Sequence, residues 1–292
     1  MSDASDQGEP SDLSELLARH PLPSPDGGKD AKGDLMLVGG APSCPGAVLL
    51  AGRAALRAGS GRVQLVVHPD VATAIAVALP EALVLGWDPA DALPEAVVSR
   101  LARAAAVVVG PGMGEEAQAA ARAVGHHVEG ILVVDAQAIG CLTDLVSNHK
   151  GALVAAPNPK EAADLLGCDG DPTDAVSPLA RDLADLLGGP AVVRGTTTVL
   201  DDGTGDQWAE RERTPGLGTP GSGDVLMGAL GAMLARGLDP LAALAWAIAA
   251  HARAGRLLSE HTPVGFLASE VADALPRALR SLSEEAEPSS GG

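Results

Sequence analysis

Thr214-Pro-Gly-Leu-Gly-Thr-Pro-Gly-Ser-Gly-Asp-Val-Leu-Met-Gly228 is the stretch on which the reading of this chain turns. Five glycines fall within these fifteen residues, and an apolar segment follows at once. Glycine lets a backbone approach an anion closely. The free N–H groups and the dipole at a helix N-terminus then hold phosphate. The spacing predicts a helix over residues 224–236 whose approach, Gly221-Ser222-Gly223, forms an anion site. Asp224 falls in its first turn, where an acid has either a chemical use or the plain one of capping the helix. A P-loop is excluded, because the Gly-Lys-Ser/Thr ending is absent.

Working outward, short apolar runs alternate with helical spacing. Strands are predicted at 35–38, 63–67, 105–109, 131–134, 153–156 and 191–194, with 197–200 as the hairpin partner of the last. Helices are predicted at 46–58, 71–79 and 115–124, and three more close the chain at 224–236, 241–258 and 267–282. Strands that are apolar throughout and alternate with helices mean a mostly parallel central sheet with helices on both faces. The expectation is one three-layer α/β domain over residues 33–283. Residues 1–32, rich in Asp, Ser, Pro and Gly, read as a loose acidic leader, interrupted by a short helix at 12–19. Residues 284–292 read as an acidic tail.

Composition narrows the function. The chain has 292 residues, 46% apolar, with three Trp, one Phe and no Tyr. The core must be built from Ala, Val, Leu and Gly, and a base-stacking platform has no rings to use. The net charge of −18 disfavours nucleic acid, which selects a basic face. Residues 1–34 hold eight acids and three bases, net −5, and Glu284, Glu285 and Glu287 add −3, so the body carries −10 of the −18. Cys44, Cys141 and Cys168 show neither metal spacing nor a disulfide framework. The acidic, polar start is not a targeting peptide, and no apolar run reaches the roughly 18 residues of a membrane span. A soluble cytoplasmic protein is expected.

In open α/β sheets, ligands bind beyond the C-terminal strand ends. Polar and Gly-rich residues collect there: Gly39-Gly40 with Pro45-Gly46, Gly110 to Gly114, Asp135, Asn158 to Glu161, and Arg194 to Thr198. Each has a structural alternative. Gly110 to Gly114 is a tight turn or a close approach to a ligand. Asp135 caps the next helix or serves a site. Asn158 and Glu161 are a capping box, or they bring a carboxylate near hydrated Mg²⁺. Arg194 pairs with phosphate or with a surface acid. His126, His127, His149, His251 and Cys44 read as solvated or structural. No Gly-x-Ser-x-Gly elbow and no Gly-x-Gly-x-x-Gly turn occurs.

Taken in order, these blocks resemble the ADP-dependent NAD(P)H-hydrate dehydratases of the ribokinase-like superfamily, over about residues 33–283. The resemblance is carried by Leu37-Val-Gly-Gly with Pro45-Gly-Ala47, Ala58-Gly-Ser-Gly61, Gly110-Pro-Gly-Met-Gly114 and Asp135-Ala-Gln-Ala-Ile. It continues through Gly221-Ser-Gly-Asp-Val-Leu-Met-Gly228, His251-Ala-Arg-Ala-Gly255 and Gly265-Phe-Leu-Ala-Ser-Glu270. It implies a ribokinase-like fold and repair of hydrated NADH or NADPH, coupled to breakdown of ADP or ATP. Asp224 would then be the acid–base residue, and the Gly221, Ser222 and Gly223 amides would hold the transferred phosphate. Arg194, Gly195, Thr196, Thr197, Thr198 and Gly223 would hold the nucleotide. Ala47, Gly112, Gly114, Asp135, Asn158 and Asp224 would face the hydrated dinucleotide. Mg²⁺ would bridge phosphates, with Glu161 reaching it through water, in a homo-oligomer without nucleic-acid or membrane partners. Three positions depart from the family: Asn158 for His, Gln137 for Asp and Arg194 for Lys. Two rival activities follow, a small-alcohol kinase using Asp224 as base and a non-catalytic nucleotide-binding paralogue.

Overall fold

The computed structural model describes residues 9–24, 28, 32–168, 171–172, 175–211 and 214–286. Its central sheet has six strands: β2 (Asp34–Val38), β3 (Arg62–Val67), β4 (Leu83–Gly86), β5 (Ala106–Val109), β6 (Ile131–Val134) and β7 (Leu153–Ala155). Their order is β4-β3-β2-β5-β6-β7, and every pairing is parallel. A second sheet contains β8 (Ala191–Arg194), β9 (Thr198–Asp201) and β10 (Gln207–Glu210) as antiparallel neighbours. The Arg194 N–H donates to the Pro157 carbonyl at 2.8 Å, which ties the end of β8 to the chain leaving β7.

The pleat assigns the layers. Leu35 and Leu37 of β2 enter one hydrophobic cluster while Met36 and Val38 enter another, and β5 divides Ala106 and Val108 from Val107 and Val109 in the same way. Successive side chains point to opposite faces, so a strand apolar at every position needs cover on both. The first face is covered by α2 (Pro45–Arg57), α9 (Ser222–Ala235), α10 (Pro240–Ser259) and α11 (Ala268–Ala286). The second is covered by α4 (Glu95–Leu101), α5 (Ala117–Gly125), α6 (Leu142–Asn148), α7 (Pro159–Leu166) and α8 (Val176–Leu187). The outlying α3 (Pro69–Ala78) buries Ile75 alone. The three-layer arrangement is the expected one, although β4, β10, α4, α6, α7 and α8 add to it. β4 is only partly buried and so lacks the continuous apolar run that marks the other strands.

The leader differs from expectation. Ser11–Asp12 forms β1, parallel to β10, and Leu13–Arg19 forms α1 with Asp12 as its cap. Leu13, Leu16 and Leu17 are buried in the first cluster. The indole Nε1–H of Trp246 donates to the His20 carbonyl at 2.6 Å, and Arg236 donates to the Pro23 carbonyl at 3.3 Å. Residues 9–24 are therefore packed rather than loose, because three leucines at helical spacing have a core to enter. Residues 1–8, 25–27 and 29–31 of the leader lie outside the described residues. At the other end, α11 runs past the expected boundary to Ala286, and Arg253 holds Glu285 with contacts of 2.6 Å. Residues 287–292 also lie outside the described residues. No described helix is long and apolar enough to cross a membrane.

Candidate active site

The strand order reverses between β2 and β5, and the crevice at such a switch point is where α/β sheets place ligands. Two Gly-rich turns meet there. The Gly40 N–H donates to the Pro111 carbonyl at 2.8 Å and the Ala41 N–H to the Gly112 carbonyl at 3.0 Å. A Cβ on Gly112, whose φ is +66°, would lie 2.3 Å from the Cys44 carbonyl and 2.8 Å from the Ala47 methyl. Only glycine fits, so the Gly110 to Gly114 turn is a close approach of backbone to backbone, and it brings Gly112 onto Ala47. A Cβ on Gly110 would lie 2.1 Å from the Asp135 carbonyl, so the same turn also positions Asp135. Gly114 lies at its outer end, beside the Glu116 carboxylate.

Asp135 does not cap the 3₁₀ turn Ala136–Cys141 that follows it. It is 4% exposed, and its Oδ1 has no hydrogen-bond partner. Its nearest cation is Arg194, whose Nη2 lies 3.6 Å from that oxygen. Burial pushes its pKa up against the pull of Arg194, and the Glu161 charge nearby pushes in the same direction as burial. The next residue, Ala136, has φ +52°, a left-handed conformation that costs a non-glycine residue about 1–2 kcal/mol.

Arg194 stands between the acids. It leaves the end of β8, its Nε–H donates to the Ala156 carbonyl, and its side chain is 22% exposed. It is not a surface ion pair. A Cβ on Gly223 would lie 3.0 Å from Nη1, so the bare backbone there lets the guanidinium sit at the start of α9.

At that helix start, Gly221 adopts φ +88° and the Ser222 N–H donates to the Thr219 carbonyl at 3.2 Å. Gly223 and Asp224 are second and third in the helix, so their N–H groups have no acceptor within it. Asp224 makes no cap; the N-cap is Gly221, without a side-chain bond. Burial and the Asp135 charge raise the Asp224 carboxyl to about 6, against Arg194, which lowers it. Burial and a second carboxylate nearby both favour the protonated form, and the guanidinium opposes them.

A cleft of about 740 Å³ opens in front of this turn, lined in part by Asn158, Arg194, Gly195, Thr196, Thr198, Ser222 and Gly223. Thr197 and Gly221 are not among its lining residues, nor are Ala47, Gly112, Gly114, Asp135 and Asp224. The expected nucleotide set is thus largely gathered in one cavity. Of the expected dinucleotide set, Asn158 lines this cleft, whereas the rest lie outside its lining. Leu217, Leu226, Ile248 and His251 also line the cleft and were not expected there. A signal existed for His251: it interrupts an α10 run that is otherwise apolar from Leu241 to Ala250.

Asn158 and Glu161 form a complete capping box at the start of α7. Asn158 Oδ1 accepts from the Glu161 N–H at 2.9 Å, and Glu161 Oε2 accepts from the Asn158 N–H at 2.8 Å. Among the described residues, no three His, Cys, Asp or Glu side chains gather into a metal cage. The donors present fit a Mg²⁺ that keeps waters and takes most of its ligands from phosphates, not one caged by protein.

The family model described as NAD(P)H-hydrate dehydratase matches residues 35–277. The chain belongs to this family. It is 38% identical over 275 residues to the ADP-dependent (S)-NAD(P)H-hydrate dehydratase of Xanthomonas campestris, covering 90% of this chain and 93% of that one. It is 31% identical to the bifunctional NAD(P)H-hydrate repair enzyme of Moorella thermoacetica, of which it spans about half, 52% of the length. The crystal structure of the ADP/ATP-dependent NAD(P)H-hydrate dehydratase of Bacillus subtilis, co-crystallised with ATP and Mg²⁺, superposes with a TM-score of 0.81 at 30% identity. That match covers 93% of this NAD(P)H-hydrate dehydratase family member and 98% of the B. subtilis chain. The fold is ribokinase-like, as the resemblance implied.

Proposed function

We propose that this protein dehydrates hydrated NADH and NADPH and consumes ADP, or ATP, in doing so. The observation that carries the reading is Asp224, a half-buried acid raised to about 6 beside the open amides of α9 and facing Arg194. The nucleotide enters the cleft with its base against Leu217, Leu226 and Ile248, an aliphatic wall in a chain poor in rings. Arg194 to Thr198 and the Gly221 to Gly223 turn take its phosphates. The hydrated ring lies over Ala47, Gly112 and Gly114, towards Asp135 and Asn158. Asp224 removes the ring hydroxyl proton as that oxygen attacks the terminal phosphoryl group, and AMP leaves from ADP. The phosphate then departs with the C–O bonding electrons while the neighbouring ring carbon loses a proton to the departing phosphate, which restores the double bond. The α9 amides stabilise the charge on the transferring group. Mg²⁺ would be held by the phosphates, with the Glu161 carboxylate as an outer partner through water, and would neutralise phosphate charge.

Asn158 and Glu161 cap the start of α7 on each other, which supports the helix-capping reading of that pair. Three unpaired thiols, Cys44, Cys141 and Cys168, support a reducing cytoplasmic setting. The exposed apolar side chains of Val77 and Leu83, near the sheet edge formed by β4, support a homo-oligomer.

Incubating the protein with hydrated NADH and ADP tests the reading: the 340 nm dihydronicotinamide absorbance returns. Asp224→Ala abolishes that return while ADP still raises the melting temperature. Unchanged turnover in the variant removes Asp224 from the chemistry, and no recovery with the parent protein removes the activity.

A further inference from the structure

One pair of side chains in the cleft has no part in that scheme. Ser222, the first residue of α9, is 6% exposed, and its hydroxyl meets His251 of α10. His251 Nε2 is 2.8 Å from Ser222 Oγ and 3.0 Å from the Ser222 carbonyl oxygen. A carbonyl oxygen only accepts, so the ring nitrogen held against it carries a hydrogen. This is true of the neutral ring and of the charged one. A nitrogen that donates cannot also accept from the serine. Ser222 Oγ therefore receives the imidazole N–H, and its own hydrogen turns away from the ring. The space on that side is the cleft, which Ser222, His251, Gly223 and Arg194 line together.

We propose that His251 is a positioning residue that commits the Ser222 hydroxyl to donate towards the nucleotide phosphate held at the start of α9. The site then has a side-chain donor beside the Gly223 and Asp224 amides. Burial and the nearby Arg194 guanidinium hold the His251 imidazole down at about 4, so at neutral pH it supplies direction and no charge. The inference rests on the nucleotide half of the proposed function and is independent of the dehydration step.

The test is calorimetric binding of ADP to the full chain, with adenosine as the phosphate-free control. A hydrogen bond to a charged group corresponds to a change of about ten- to a hundredfold in affinity. Ser222→Ala weakens ADP by that factor and leaves adenosine unchanged. His251→Ala weakens ADP in the same direction. His251→Gln, whose amide N–H takes the place of Nε2, recovers most of the loss, and His251→Asn, which reaches only to the Nδ1 place, does not. Ser222→Ala with His251→Ala binds ADP no more weakly than Ser222→Ala alone. Two results overturn the proposal: ADP binding by Ser222→Ala at the parent affinity, or losses in the double variant that simply add. His251→Gln and His251→Asn keep the comparison readable if His251→Ala does not fold. If the parent binds ADP yet restores no 340 nm absorbance, the proposed activity falls and this comparison still stands.

Discussion

Asp224 places a carboxylate where water cannot fully solvate it, and a pH dependence follows. Its folded value of about 6 lies above the ordinary 3.8, chiefly through burial. The folded state thus holds a proton that the unfolded chain has released between about pH 4 and pH 6. Stability is greatest at the acid end of that window with respect to this group, falls as pH rises through about 6, and is flat above. Asp224→Asn removes the penalty. We predict that it melts a few degrees higher than the parent at pH 7, and that the gain shrinks as pH falls towards 4; scanning calorimetry across that range checks this. In the parent, kcat/KM falls as pH drops through about 6, because a protonated Asp224 cannot accept the hydroxyl proton. Much at this scale was legible in the sequence. A Gly-Ser-Gly-Asp approach to a helix and an Arg at a strand end announce an anion site by residue type and order. His251 stood out as a break in an apolar run, but its role did not, because a lone histidine among alanines reads equally as structural. Its use depends on the Ser222 carbonyl, twenty-nine positions away in sequence. The Asp135 oxygen without a partner is likewise a fact of packing, since it requires β6 and the Gly110 turn to close over it.

At the scale of elements, α9 is set by its contact with α2. A Cβ on Gly228 would lie 2.1 Å from the Ala51 carbonyl, so the two helices touch backbone to backbone. Intrinsic propensity favours Gly228→Ala by about 1 kcal/mol. Forcing a methyl into a closed backbone contact costs about 1–3 kcal/mol and wins. We expect the variant to unfold at lower urea concentration, and also to bind ADP more weakly, because α9 carries Ser222 to Asp224 on its first turn. The fully buried elements were plain from hydrophobic spacing: β2, β3, β5, β6 and the last three helices fall within a residue or two of the reading, except the end of α11. The partly exposed β4 was not. Leu83–Gly86 is an edge strand with only partial burial, and its pairing with β3 exists only in three dimensions.

For the whole molecule, the acidic balance and the polyphosphate ligands pull in opposite directions. A net charge of −18 repels a nucleotide at long range, so the site must work locally through Arg194 and the α9 amides. Part of that charge is not in loose tails, because Glu285 is held by Arg253 and Asp12 caps α1. The leader shows why composition misled. Ser, Asp and Pro dominate it, yet Leu13, Leu16 and Leu17 form a stripe that fills the first hydrophobic cluster. Leu16→Ala should cost about 2–5 kcal/mol in urea unfolding. A value near zero would show that the segment carries no weight in the fold.

The docking of Ser11–Asp12 on β10 and of α1 against α10 also has a meaning in time. Trp246 is 226 positions from His20, whose carbonyl it holds. At a synthesis rate of about 5–20 residues per second, the leucine stripe waits roughly 10–45 s for its partner surface. Asp3, Asp6, Glu9, Asp12 and Glu15 surround that stripe in sequence, and charge beside an apolar run of this kind opposes self-association while the run is exposed.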